Sequence, residues 1–128
     1  MGIKFIRDIY HFSRTATFTA QTGTDAVSIN WGLGNKYHLH LESSSTVTFD
    51  AHPLHPCNLV LLVRQGAGGS NVITWAVTGD PTIYWTGGGI LNTNEPTLST
   101  VDDTTDILSF YWDGNEYFGV ASLNFDTT

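Results

Sequence analysis

The sequence predicts an all-β fold, a β-sandwich or jelly-roll-like domain of about eight or nine short strands that pair mostly antiparallel. Apolar residues recur with a period of two along almost the whole chain, and no helical stripe is longer than two turns. Val, Ile, Thr and aromatic residues fill these alternating segments, whereas Gly, Asn, Asp and Pro fill the gaps between them. A small barrel has the same signature and stays an alternative.

The alternating segments predict strands that are separated by turns rich in Gly, Asn, Asp and Pro, such as "GAGGSN" and "TGDP". In order, the predicted strands are 14–20, 25–31, 36–42, 45–49, 58–65, 71–77, 82–85, 106–112 and 117–125. The first ten residues are ambiguous between an extended arm and one helical turn. We therefore divide the chain into an N-terminal arm with the first strand, residues 1–24, and a β-sandwich domain, residues 25–128.

The last two strands form a hairpin about Asp113 and Gly114 that is apolar on both faces. One face carries Leu108, Phe110, Trp112, Tyr117, Gly119, Ala121, Leu123 and Phe125, and the other carries Ile107, Ser109, Tyr111, Phe118, Val120 and Ser122. A two-sheet sandwich leaves one face of each sheet in water, so this hairpin needs a further cover, either a loop or a neighbouring subunit. We predict that another copy of the chain provides this cover, with candidate contacts at Phe110, Trp112, Tyr117, Phe118, Val120, Leu123 and Phe125.

Charge is distributed unevenly along the 128 residues. Residues 1–14 carry a net charge of +2, and the rest of the chain carries −9, which together give the total of −7. An acidic body argues against binding to nucleic acid, which requires clustered Lys and Arg. The basic start predicts a segment that docks onto another molecule, although an ordinary first strand with chance charges is the alternative. The candidate anchor residues are Lys4, Phe5, Arg7, Tyr10 and Arg14.

Several classes of protein are excluded or disfavoured by the composition. No apolar run approaches the roughly 20 residues of a membrane span, and the first residues do not resemble a signal peptide. The single cysteine, Cys57, excludes an internal disulfide framework and a cysteine zinc site. It heads an apolar run and is interpreted as a small buried residue.

The sequence signals for a metal site are weak. His38 and His40 could share a metal with partner strands, or with other subunits around a three-fold axis, but both are more typical of a wet strand face. Asp102, Asp103 and Asp106 lack the spacing of a calcium loop and are interpreted as turn and capping residues. We therefore predict no metal and no cofactor.

No catalytic motif is present either. The chain has no nucleophile elbow and no phosphate loop, and nothing selects a catalytic pair among its carboxylates. Trp75, Tyr84 and Trp85 could form a carbohydrate platform, but core packing is the commoner role for aromatic residues. We predict a non-enzymatic protein, and a carbohydrate-active enzyme or lectin is the minor alternative.

The order of motifs resembles a β-domain family of bacteriophage virion proteins that is found in tail-fibre tips and in small capsid decoration proteins. The resemblance covers about residues 25 to 125 and includes "NWGLGNKYHLHLESSSTVTF", "NLVLLVRQGAGGSNVITW", "IYWTGGG", "PTLST" and "DILSFYWDGNEYFGVASLNF". Two features depart from the family pattern, Ala76 where Pro is common and a longer loop before "PTLST". The resemblance implies a β-rich, commonly trimeric protein of the virion.

Within that family, the small size of the chain favours a capsid decoration (cement) protein. Such a protein would bind the outer surface of the capsid as a homotrimer, contact the major capsid protein and stabilise the shell. The alternative is a tail-fibre or receptor-binding tip that contacts a host glycan or protein through the loops 32–35, 66–71 and 85–96.

Overall fold

A computed structural model of the chain describes the backbone of residues 15–20 and both backbone and side chains of residues 26–126. This described part consists of β-strands and connecting loops, and it contains no helix that could cross a bilayer. The ten strands are β1 (Thr15–Ala20), β2 (Ala26–Asn30), β3 (Lys36–Leu41), β4 (Ser45–Ala51), β5 (Cys57–Gln65), β6 (Ile73–Val77), β7 (Ile83–Trp85), β8 (Gly89–Ile90), β9 (Thr104–Trp112) and β10 (Tyr117–Asp126).

The strands form a seven-stranded sheet in the order β1-β3-β5-β9-β10-β7-β8 and a three-stranded sheet in the order β2-β4-β6. The first six strands alternate between the two sheets. Each strand from β3 to β6 therefore pairs in parallel with the strand two positions earlier in the chain, as successive turns of a coil do. The last four strands all join the larger sheet, where β9 and β10 form the closing hairpin. The first predicted strand is thus an edge of the larger sheet, and residues 1–14 lie outside the described residues.

The all-β prediction is confirmed, but the prediction of mostly antiparallel pairing is wrong. Five of the eight strand pairings in the described part are parallel, and three are antiparallel. A jelly roll is an antiparallel architecture, so the coiled first half of this chain does not follow it. The period-two pattern shows which residues share a strand face, and it carries no information about the direction of the neighbouring strand.

The core lies between the facing sides of the two sheets, as in a sandwich. Phe49 of the smaller sheet packs edge-on against Phe110 and Tyr117 of the larger sheet, with ring centroids 5.1 and 4.9 Å apart. Trp75 and Trp85 make a similar contact between the sheets at 5.2 Å. These rings belong to one cluster of buried apolar residues, which is the dominant stabilising feature of such a fold.

The open edge of the three-stranded sheet is closed at one point by a side chain. Asn92 Oδ1 accepts a hydrogen bond from the Trp75 backbone N–H (2.7 Å), and Asn92 Nδ2 donates to the Trp75 carbonyl (2.9 Å). The amide thus takes the place of a neighbouring strand at Trp75. An exposed strand edge invites pairing with other chains, and this contact blocks the middle of β6.

We expect the substitution Asn92→Asp to lower the free energy of unfolding by about 1 to 2 kcal/mol. A carboxylate still accepts from the Trp75 N–H, but it cannot donate to the carbonyl and instead repels it. Urea unfolding measures the change, and Asn115→Asp in the exposed hairpin turn is the matched control. Equal unfolding midpoints for the two variants would show that the Asn92 contact adds nothing to stability.

Candidate functional site

The outer face of the seven-stranded sheet carries exposed apolar side chains on four neighbouring strands. Ile90, Tyr84, Phe118 and Tyr111 lie in register across β8, β7, β10 and β9. Val120 is the next outward residue along β10. Each of these five residues is between 41% and 49% exposed. We call them the outer apolar patch.

Strand alternation explains why the patch faces outward. In β10 the buried residues Tyr117 and Gly119 alternate with exposed Phe118 and Val120. The described loops leave this face open, so the second cover that the sequence calls for is absent from the described part of the chain. Half-buried residues extend the apolar surface across β9 and β5, namely Ile107, Val60 and Leu62.

The aromatic rings of the patch pack against each other. Tyr84 and Phe118 are stacked, with ring centroids 5.5 Å apart and planes 19° from parallel. Of the three residues that could have formed a carbohydrate platform, only Tyr84 is exposed, because Trp75 and Trp85 are buried at 2% and 4% exposure. Trp75 and Trp85 thus have the core-packing role that is commoner for aromatic residues, and the three residues do not form a platform together.

The outward strand positions of this face carry no carboxylate, and the two carboxylates that reach it from loops, Glu42 and Asp103, are paired with His40 and Arg64. No outward position of β3, β5, β7, β8, β9, or of β10 before its bulge, is Asp or Glu. Lys36 and Arg64, the only Lys and Arg residues among the described side chains, both lie on this face, and Arg64 pairs with Asp103 at 2.9 Å. On a chain with a net charge of −7, this is the face that another acidic molecule can approach with the least repulsion.

The structure divides the candidate trimer contacts into two groups. Phe110, Trp112 and Tyr117 are packed into the chain's own core, with at most 4% exposed, because the three-stranded sheet covers that face of the hairpin. They present no surface to another copy. The remaining candidates, Phe118, Val120, Leu123 and Phe125, are all exposed.

A β-bulge changes the face on which Phe125 lies. Ser122 pairs with Ile107, but Phe125 pairs with Thr105, so β10 has one extra residue there. Asn124 in the bulge has a positive φ of 67°. The prediction that Phe125 shares a face with Leu108 is therefore wrong, since the bulge moves it to the side of Thr105 and Arg64.

The histidine pair lies on the outer face of β3. His38 is exposed, and His40 Nδ1 lies 3.0 Å from Glu42 Oε1. Within residues 26–126, no three side chains among His, Cys, Asp and Glu come close enough together to hold a metal ion.

The three aspartates before β9 have separate roles. Asp106 is 2% exposed and accepts hydrogen bonds from the Ser99 hydroxyl (2.6 Å), the Ser99 N–H (2.7 Å) and the Asn124 N–H (2.8 Å). Asp103 pairs with Arg64, whereas Asp102 is exposed. These carboxylates bind the neighbouring loops to the sheet and do not converge on a common point.

The buried titratable groups are held in unreactive forms. Burial raises the pKa of the Cys57 thiol to about 11, so the reactive thiolate is scarce at neutral pH. Burial, and to a smaller degree Cys57, also raises the pKa of the Tyr117 phenol. That phenol contacts His52 Nδ1 at 2.5 Å, and His52 Nε2 donates to the Thr78 carbonyl at 2.9 Å. This chain of contacts ends on a backbone carbonyl.

Sequence reasoning missed Tyr84 and Ile90 as neighbours of the closing hairpin. β7 pairs in parallel with β10, a contact between residues more than thirty positions apart in the sequence. The usable signal was the alternation in "TIYW", which places Tyr84 outward between two buried residues. The candidate anchor residues Lys4, Phe5, Arg7, Tyr10 and Arg14 lie outside the described residues.

Comparisons of the chain with protein-family models, with curated proteins and with solved structures find no match. The resemblance to virion proteins therefore stays a prediction from the sequence motifs.

Proposed function

We propose that this protein is a non-enzymatic structural protein of a phage virion, a capsid decoration protein that acts as a homotrimer. The observation that carries the proposal is the outer apolar patch, five exposed apolar residues on a sheet face whose outward strand positions carry no carboxylate. A contiguous apolar surface of this kind marks an association site. The virion assignment is supported by the sequence motifs alone.

A second copy of the same chain is the partner that fits the patch best. Copies of an acidic protein repel one another, and the repulsion is smallest where the faces with the fewest unpaired carboxylates meet. A three-fold axis beside Phe118 and Val120 would bring three patches together and cover the apolar residues. The flanking cations Lys36 and Arg64 would then lie near the acidic surface of a neighbour.

The interior supports a structural role. Two of the buried polar groups, Asp106 and Gln65, hydrogen-bond to the loops 66–72 and 92–103. Cys57 is protonated at neutral pH and packed in the core. Such contacts stabilise the fold, and they do not resemble a set of groups poised for proton transfer.

Shell binding tests the functional assignment. We expect the purified protein to bind capsids that lack it, with copies distributed over the whole shell in electron micrographs. Removing residues 2–14 should weaken this binding by about tenfold or more, because three cations are lost from a charge-dependent contact. Copies found only at the tail would instead support the tail-fibre alternative.

Two outcomes separate the parts of this proposal. Undiminished binding by the truncated protein would rule out the N-terminal segment as the anchor and leave the decoration role intact. No binding to shell or tail by the full chain would overturn the virion assignment itself.

A further inference from the structure

A second apolar surface lies at the open edge of the three-stranded sheet, on the opposite layer from the outer apolar patch. It is a groove of about 190 Å³ between β6 and the segment 92–100. Its two walls are formed by Val72, Ile73 and Trp75 and by Glu95, Pro96 and Leu98.

The segment 92–100 is fixed at both ends and stands away from β6 in between. At one end the Asn92 side chain holds the Trp75 backbone. At the other end the Ser70 N–H donates to the Thr100 carbonyl (2.7 Å), and Gln65 Nε2 donates to the Ser99 carbonyl (3.0 Å). The hydrogen bonds at both ends of the segment 92–100 therefore define the groove as a part of the fold.

Among the described residues, Glu95 is the only charged one that lines the groove. It is half-buried, and within the described part of the chain it has no hydrogen bond and no ion pair. A cation in the groove would pair with this carboxylate, and their attraction is stronger in a partly enclosed groove than in open water.

Most of the chain cannot supply that cation. Lys36 and Arg64 lie on the outer face of the other sheet, and Arg64 is already paired with Asp103. All other Lys and Arg residues of the sequence are in the segment 1–14. That segment also carries apolar residues next to its cations, as in "KFIR".

We propose that the groove binds the N-terminal segment, residues 1–14, through the side chain of Lys4 or Arg7. The methylene stem would lie along Trp75 and Leu98, and the charged end would meet Glu95. Long cationic side chains commonly bury their stems in this way while they keep the charge paired or in water. The volume of the groove suits one such side chain, because it is smaller than the roughly 300 to 1,000 Å³ of small-molecule sites.

The segment is long enough to reach the groove. The eight residues from Arg7 to the start of β1 span up to about 26 Å when extended. Pro96 of the groove wall lies beside Gly119 and Ala121 of β10, four strand spacings or about 19 Å across the sheet from β1, so the extended segment with its side chain spans a comparable distance. The same copy or a neighbouring one can therefore provide the segment, and in either case two of its three cations remain available for a shell.

Trypsin cleavage of the full-length protein tests this contact, because trypsin cuts after Lys and Arg and cannot do so while the side chain is held in the groove. Release of the N-terminal peptides is followed by mass spectrometry. We expect Glu95→Gln to speed cleavage after Lys4 or Arg7 by about fivefold, the loss that a partly exposed ion pair produces. The control Asp80→Asn removes the same charge from an exposed turn and should cleave like the wild type.

Equal cleavage rates for Glu95→Gln, Asp80→Asn and the wild type would overturn the proposal. Protection that disappears on dilution would assign the segment to a neighbouring copy, and protection that persists would assign it to the same copy; both support the contact. The experiment repeated with Val120→Glu separates this groove from the outer apolar patch. Loss of the oligomer with unchanged protection would leave the groove contact standing by itself.

Discussion

Replacing Val120 by glutamate is expected to convert a trimer of about 42 kDa, three chains of 14.0 kDa, into monomers. Val120 is 49% exposed and lies next to Phe118 in the outer apolar patch. In the proposed trimer, three introduced carboxylates would be buried near one axis without partners, which costs several kcal/mol in total. We expect the association constant to fall by at least about a hundredfold, as measured by light scattering over a range of concentrations.

The matched control for Val120→Glu is Thr74→Glu. Thr74 is an exposed residue on the outer face of the three-stranded sheet, so the variant gains the same charge on the opposite layer. It should remain trimeric, and circular dichroism should show both variants folded. A wild-type protein that stays monomeric at all concentrations would overturn the homotrimer, and dissociation of the Thr74 variant alone would move the contact to the other sheet.

The sequence predicts the strands of this fold well and their neighbours poorly. Alternation in "KYHLHL" identifies β3 and the faces of its residues, because burial on one side is a property of the strand itself. The parallel pairing of β3 with β5 depends on where the chain returns after β4 in the other sheet. Nothing local in the sequence encodes that return, so hairpin-like pairing was the wrong expectation.

The sequence also predicts which residues of the candidate association surface share a strand face, but it does not predict which face is exposed. The turn "DGNE" fixes the register of β9 and β10, and this register correctly places Phe118, Val120 and Tyr111 on one face. Which of the two faces is covered depends on the three-stranded sheet, whose Phe49 packs on Tyr117 and Phe110. Two apolar faces look alike in the sequence, and only tertiary packing distinguishes the buried one.

The substitution Gly119→Ala is expected to cost about 3 kcal/mol of unfolding free energy, although an alanine normally suits a strand better than a glycine does. Gly119 lies in register between Trp85 on β7 and Phe110 on β9. The two rings close over it, with centroids 5.6 Å apart. An added Cβ would lie 2.6 Å from Trp85 Cζ3 and 2.9 Å from Phe110 Cε1.

Neither ring can move aside easily. Trp85 Nε1 donates to the Leu91 carbonyl (2.6 Å), and Phe110 packs against Phe49 at 5.1 Å. The introduced methyl group must therefore displace buried aromatic rings or the strand itself, and well-packed interiors resist both. The cost arises in the core, so it should appear equally in a monomeric background such as Val120→Glu, where stability does not depend on protein concentration.

Urea unfolding of Gly119→Ala and of two companion variants identifies the cause of the loss. Gly32→Ala lies in an exposed turn, where the added Cβ meets the end of the Asn30 side chain at 3.0 Å and the His52 carbonyl oxygen at an ordinary contact distance of 3.7 Å, and it should change stability by less than about 1 kcal/mol. Trp85→Leu should be costly by itself but should partly relieve the clash. We therefore expect the double variant Gly119→Ala/Trp85→Leu to lose at least about 1 kcal/mol less than the sum of its single losses. Strictly additive losses of stability would show that the cost of Gly119→Ala comes from the backbone conformation at Gly119 and not from a clash with Trp85.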